Sequence, residues 1–266
     1  MSLKFDVYKP SLFLSEFVNC YWTIKGSVSD EEPIDEIVYP TGKAEIIFHF
    51  KNSFFSNELS GAKQSDFLFC GQKTRRDLVT ASGEIDSLAL TFKSSGAAAF
   101  FEIPMNEIEN SNMNLNYLIP TKCALDLERM FDSKDDLARI AILEHFLLSR
   151  FIEKKYYDIK RFSGACLEIK KIKRYNLNKL ADYSNLSERQ FQRRFKEFIG
   201  IKPIELFRIN RFERALKRIE KTPTSFTEVA YDEAYTDQSH LIRDFKAFLN
   251  MTPSEYYNRY VLQNSK

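Results

Sequence analysis

The chain has 266 residues, 44% of them hydrophobic, and its 39 Lys and Arg nearly balance 37 Asp and Glu for a net charge of +2. Such a length and apolar content allow two packed cores and exclude a wholly disordered chain, and no apolar run nears the roughly 20 residues of a membrane-spanning helix. The balance conceals a division: residues 1–150 carry 15 basic against 22 acidic side chains and residues 151–266 carry 24 against 15, or −7 and +9.

Residues 1 to about 93 read as strands and turns. The segments 19–24, 44–50 and 88–92 are rich in aromatic and β-branched residues, and Pro40-Thr41-Gly42, Lys51-Asn52-Ser53 and Ser82-Gly83 supply the turns between them. A curled antiparallel sheet or a small barrel is the expected packing. From Ser94 the pattern changes: Ser94 to Phe101 reads as a capped helix start, and Asp135 to Lys155 as a long amphipathic helix with Leu137, Ile140, Ala141, Leu143, Phe146, Leu147 and Phe151 toward one face. A short charged linker is expected near 153–159, too short for free tumbling.

Beyond it the sequence repeats. Ser187-x-x-x-Phe191-x-Arg193-x-Phe195-Lys196 recurs 50 positions later as Asp237-x-x-x-Leu241-x-Arg243-x-Phe245-Lys246, and each copy runs on to a proline, Pro203 and Pro253. An N-cap residue opens each copy, and apolar residues follow at helical spacing. With Phe191, Phe195 and Phe198 inward, Arg189, Gln192, Arg193 and Lys196 face outward, where a recognition helix meets DNA. In the second copy Leu241, Phe245 and Phe248 are inward and Gln238, Ser239, Ile242, Arg243 and Lys246 outward. Arg pairs with guanine O6 and N7 and Gln with adenine N6 and N7, so the first copy is expected to carry more base specificity. Between the copies Pro203 starts a helix to Lys221 along the apolar row Leu206, Ile209, Phe212, Leu216 and Ile219. A monomer could then read two successive major grooves about one turn apart.

These residues, with Leu180-Ala181, Gly200-x-x-Pro203, Arg211, Ala215, Val229-Ala230 and Thr252-Pro253-x-x-Tyr256, resemble the AraC/XylS family of bacterial transcription regulators over about 158–260. The resemblance implies a seven-helix DNA-binding domain with base contacts at Arg189, Gln192, Arg193, Ser239, Ile242 and Arg243. Lys196, Lys246 and Gln238 are assigned to phosphates. Ala234 and Asn250 stand where the family usually has Gly, and Ala tolerates a left-handed backbone poorly, so a slightly altered docking angle is expected in the second half. Tyr21-Trp22, Tyr39-Pro40-Thr41-Gly42, Gly71-Gln72 and Gly96-Ala97-Ala98 resemble, less specifically, a regulatory N-terminal domain of part of the same family.

The expected fold class is α+β: a β-rich regulatory domain over 1–153, a small barrel or curled sheet plus helices, and an all-α tandem helix-turn-helix domain over 154–266. The expected function is sequence-specific DNA binding in transcription regulation, in the cytoplasm, controlled by an effector. Trp22, Phe48, Phe50, Phe69 and Phe92 are the aromatics assigned to an effector pocket. Expected partners are double-stranded DNA, a small-molecule effector, a second copy of the chain and RNA polymerase, with no membrane, cofactor or metal. Cys20, Cys70, Cys123 and Cys166 form no C-x-x-C pair, and Glu45, Asp86 and Glu102 share no spacing that would make a catalytic acid/base set. A dimerisation-only module, or an enzyme-like domain targeted to DNA, are the alternatives for the N-terminal half.

Overall fold

The computed structural model describes residues 3–56, 61–221 and 225–262. Among these, strands β1 (Lys4–Tyr8), β2 (Val18–Val28), β3 (Ile34–Val38), β4 (Glu45–His49), β5 (Phe55–Ser56), β6 (Ala62–Lys63), β7 (Phe67–Cys70), β8 (Asp77–Ala81), β9 (Gly83–Phe92) and β10 (Asn112–Asn114) form two sheets. One has the order β1-β2-β9-β4-β7-β10 and the other β3-β8-β5-β6, with every pair antiparallel. The sheets do not merge into one closed barrel.

Side chains alternate across a strand, so the larger sheet has two distinct faces. Ile46, Phe48, Phe69, Leu88, Leu90 and Phe92 are buried in the main core, which helices α1 (Thr121–Glu128) and α2 (Asp136–Arg150) help to close. Ile47, Leu68 and Ala89 point the other way, with Trp22 and Cys70 packed beside them. Arg139 of α2 is buried against the sheet, with its guanidinium 3.6 Å from the Phe50 ring centroid and its terminal nitrogens 2.9 and 3.0 Å from the two Asp86 oxygens.

Two expected helices differ. Ser94 to Phe101 yields only a short 3₁₀ turn, Ala97–Ala99. Here Gly96 lies so close to Phe17 that a Cβ would fall 1.9 Å from its carbonyl oxygen, and Pro104 disfavours helical backbone just ahead of it. The long helix begins at its Asp135 cap as expected but stops at Arg150 rather than Lys155. Phe151 takes extended backbone and packs among Phe13, Phe17, Phe100 and Tyr156, while Ile152 N–H bonds to Ala99 O. Tertiary packing of one aromatic thus outweighs helix continuation. A 3₁₀ turn, Glu153–Lys155, then leads directly into α3 (Tyr156–Lys171), so the window expected for a linker is structured.

The rest is helical: α4 (Leu177–Tyr183), α5 (Glu188–Ile199), α6 (Pro203–Lys221), α7 (Phe226–Asp232), α8 (Gln238–Leu249) and α9 (Pro253–Tyr256). The core of the β-rich half runs on without a break into the helical half. Tyr39 meets Phe212 of α6 edge-on, with centroids 6.0 Å apart, and a Cβ at Gly42 would lie 2.5 Å from Leu206. Among the described residues no helix is long and apolar enough to cross a membrane.

Candidate nucleic-acid interface and the cavity behind it

Helix α5 starts at a capping box, in which the Ser187 side chain accepts from Gln190 N–H and the Gln190 side chain accepts from Ser187 N–H. This satisfies amide groups that have no partner in a helix's first turn. Phe191, Phe195, Phe198 and Ile199 are buried, with Phe162 of α3 stacked on Phe198 at 5.3 Å. The apolar stripe therefore turns the opposite face out, and Arg189, Gln192 and Arg193 are exposed. Asn185 in the preceding turn has φ 52° and Gly200 after the helix has φ 102°, the left-handed positions that let α4 and α5 cross and α5 stop.

The second unit repeats this construction. Asp237 caps α8 through His240 N–H at 2.7 Å, and Leu241, Phe245 and Phe248 are buried. Gln238, Ser239, Arg243 and Lys246 are exposed and Ile242 is half-buried. Ala234 and Asn250 both hold left-handed backbone, at φ 57° and 60°, so each substituted position keeps the geometry that glycine would allow. His240 faces inward: its Nε2 lies 2.9 Å from an Arg211 nitrogen and its ring stands edge-on to Tyr235. Burial, together with the neighbouring Arg211, holds its pKa below the ordinary histidine value.

Sequence reasoning missed what docks each recognition helix. Arg194 of α5 reaches Asp158 of α3 at 2.6 Å, and Asp244 of α8 takes Arg208 at 2.6 Å and Arg211 at 3.0 Å, both from α6. Asp244 is buried, and the Arg211 guanidinium also lies 4.0 Å from the Tyr235 ring centroid. An acidic residue in the middle of a basic recognition helix was the available signal.

The β-rich half also touches this surface. The 3₁₀ turn Met105–Ile108 packs on α5, and Glu109 just after it sits 2.9 Å from Lys196. A cleft of about 420 Å³ brings Pro104, Asn106 and Glu107 against Gln192, Arg193, Lys196 and Lys202. Gln72 donates to Gly42 O and Ser94 O, and its side chain lies about 3.2 Å from where a Cβ at Gly200 would stand.

A separate cavity of about 460 Å³ lies between the two sheets, walled by Phe5, Trp22, Ile24, Ile34, Val38, Tyr39, Ile47 and Val79, with Glu45, Lys43, Lys73, Asp77 and Asn112 as polar neighbours. Of the five aromatics assigned to an effector pocket, Trp22 borders it. Phe48, Phe69 and Phe92 do not: they are fully buried on the helix-facing side, and Phe50 packs beneath Arg139. Aromatic content marked them, whereas strand parity decides: Glu45 and Ile47 face the cavity, so Ile46 and Phe48 cannot. Glu45, Asp86 and Glu102 are not brought together, since Asp86 is held by Arg139 and Glu45 borders the cavity.

Two family profiles match the chain: a "Helix-turn-helix domain" over residues 180–259 and a "Domain of unknown function" over residues 6–114. The "HTH-type transcriptional regulator MtrA" of Neisseria gonorrhoeae is 29% identical over 82 residues, 31% of this chain and 27% of that protein. The "F1 operon positive regulatory protein" of Yersinia pestis is 31% identical over 81 residues, 30% of this chain and 27% of that protein. The matches thus span well under half the length of these curated relatives. The structure of ToxT from Vibrio cholerae aligns over 96% of this chain and 98% of its own, at 14% identity and a TM-score of 0.47. The C-terminal tandem unit thus carries a helix-turn-helix domain of the AraC type over residues 180–259.

Proposed function

We propose that the two exposed helix faces read two successive major grooves and that occupancy of the cavity between the sheets controls how they do so. Arg189, Gln192 and Arg193 are the principal base readers, with Ser239, Ile242 and Arg243 giving a looser second readout. Lys246 and Gln238 hold phosphates, as does Lys196 once it leaves Glu109. The observation that carries this reading is the matched pair of capped helices with exposed basic faces, joined by the single 19-residue helix α6. At 1.5 Å per residue that helix is roughly 28 Å long, a rigid spacer comparable to the roughly 34 Å between successive grooves.

Support for control by a ligand comes from shared walls. Tyr39 borders the cavity and packs on Phe212 of α6; Gly71 borders it too, and its neighbour Gln72 packs at the end of α5. A molecule that shifts either wall presses on the helices that set the spacing of the two readers.

Selection of bound sequences from a random duplex pool by the full chain tests the proposal. An enriched motif of two blocks about ten base pairs apart is expected, and Arg193→Ala should relax preference at one position of the first block, at roughly 1–3 kcal/mol. A parental motif and affinity in Arg193→Ala would remove α5 as the principal reader.

A further inference from the structure

We propose that the cavity between the sheets takes an apolar amine, its hydrocarbon or aromatic body against Trp22, Ile47 and Val79 and its ammonium head on Glu45. This rests on the reading of the cavity as the effector seat. At about 460 Å³ the space falls within the range of small-molecule sites. Phe5 stacks on Trp22 with centroids 5.7 Å apart, and Phe5, Ile34 and Val38 remain exposed beside the cavity. Three exposed apolar side chains next to an apolar hollow favour an occupant with a matching body.

The head group follows from the hydrogen-bond ledger of the polar neighbours. Trp22 Nε1–H is spent on Thr91 Oγ1 at 3.1 Å, and the Thr91 hydroxyl is spent on Glu45 Oε1 at 2.5 Å. Lys73 pairs with Asp77, which also takes the Ser56 hydroxyl and the Asn112 amide N–H. Because Asp77 can only accept, the Asn112 amide is oriented with nitrogen toward it. Its Oδ1 is then left buried and accepts no hydrogen bond. Two acceptors therefore remain on the cavity wall, the Asn112 oxygen and the Glu45 carboxyl, on strands either side of β7 where both lie opposite Cys70, and of the two Glu45 is the one that can carry charge.

Charge agrees with this. Glu36, Glu45 and Asp77 border the cavity against Lys43 and Lys73, and Lys73 is already paired. Burial raises the Glu45 pKa, while Thr91, Trp22, Lys43 and Lys73 pull it back. The carboxylate is under-compensated, and an ammonium head would supply the missing charge. Lys43, two residues before Glu45 and just ahead of β4, also borders the cavity and is the anchor a carboxylate ligand would seek, so the test sets the two against each other.

Trp22 is the single tryptophan of the sequence, so intrinsic emission of the full chain reports on the cavity. Titration with phenylbutylamine, phenylbutanol and phenylbutanoate separates the head groups on one body. The amine should bind about tenfold more tightly than the other two, as one charge-assisted contact allows. Glu45→Gln should remove the tenfold difference between the amine and the alcohol. Phenylbutanoate binding as well as or better than the amine, and lost in Lys43→Met, would overturn the amine while keeping the cavity as effector seat. The comparison of the three heads on the unaltered protein holds even if Glu45→Gln fails to fold. If none of the three changes Trp22 emission, the amine and the effector seat both fall.

Discussion

His49 shows how one buried side chain couples stability to pH. Its Nδ1 lies 3.0 Å from Ser87 Oγ and its Nε2 3.1 Å from Gln64 Oε1, with Phe54 edge-on at 4.8 Å. The Gln64 oxygen only accepts, so Nε2 carries the proton and Nδ1 accepts from the Ser87 hydroxyl. Burial pushes the pKa down to about 4, against about 6.5 in an unfolded chain. Between those values the unfolded chain binds a proton that the native ring refuses, so stability falls as pH drops through that window and is level above it. The loss is on the order of 3 kcal/mol at most. In urea melts the unaltered chain should weaken from pH 7 to pH 4.5 by more than His49→Gln does; equal losses would place the titration elsewhere. Ala234 offers a second residue-scale test. It holds φ 57°, a conformation that costs an L-residue about 1 kcal/mol or more, partly offset by glycine's greater freedom when unfolded. Ala234→Gly should therefore stabilise the chain by roughly 0.5 kcal/mol, read from the urea midpoint, and leave DNA affinity within twofold.

At the scale of elements, the two recognition helices are docked by ion pairs at matching places with opposite signs. Asp158 and Arg194 lie 50 positions before Arg208 and Asp244, so the repeat keeps the bond and swaps its charges. Correct docking is attractive, whereas α3 against α8 would set Asp158 on Asp244, and α6 against α5 would set Arg208 on Arg194. Such like-charge juxtaposition helps two similar apolar stripes find their own supports. The pairs differ in depth. Arg194 and Asp158 are about a third exposed, whereas the Asp244 side chain is 1% exposed. Screening limits Arg194→Ala to about 0.5 kcal/mol, while Asp244→Asn strands the buried Arg211 charge and should cost about 3 kcal/mol. Chemical melts of the two variants check the contrast; equal costs would mean that Asp244 relaxes toward water. The stripes, caps and turns of these helices were legible in the sequence because they are local and periodic. The ion pairs were not, because partners 36 residues apart leave no mark on periodicity. The sheet was legible as strands, but its pocket-facing side depended on parity, which aromatic content did not reveal.

Across the whole molecule, the acidic half and the basic half meet on the recognition helix itself. Glu109 holds Lys196 at 2.9 Å, and Glu107 and Arg193 both line the adjoining cleft. A lysine cannot give its full charge to a carboxylate and to a DNA phosphate at once, so with Lys196 on phosphate, as proposed, the β-rich half would compete with DNA for part of α5. The division of charge along the sequence set the two halves apart, but did not reveal that they are in contact at α5. Removing the competing carboxylate should free Lys196 for phosphate. Glu109→Gln is therefore expected to raise affinity for a specific duplex severalfold. It should also steepen the dependence of log affinity on log salt by about 0.9, the increment for one further phosphate contact. Fluorescence anisotropy at several salt concentrations measures both quantities. Lys196→Ala should abolish the effect of Glu109→Gln, since the carboxylate then has nothing to release. Higher affinity without a steeper slope would mean that Glu109 acts on domain orientation instead. An unchanged affinity and slope would show that this end of α5 stands clear of DNA.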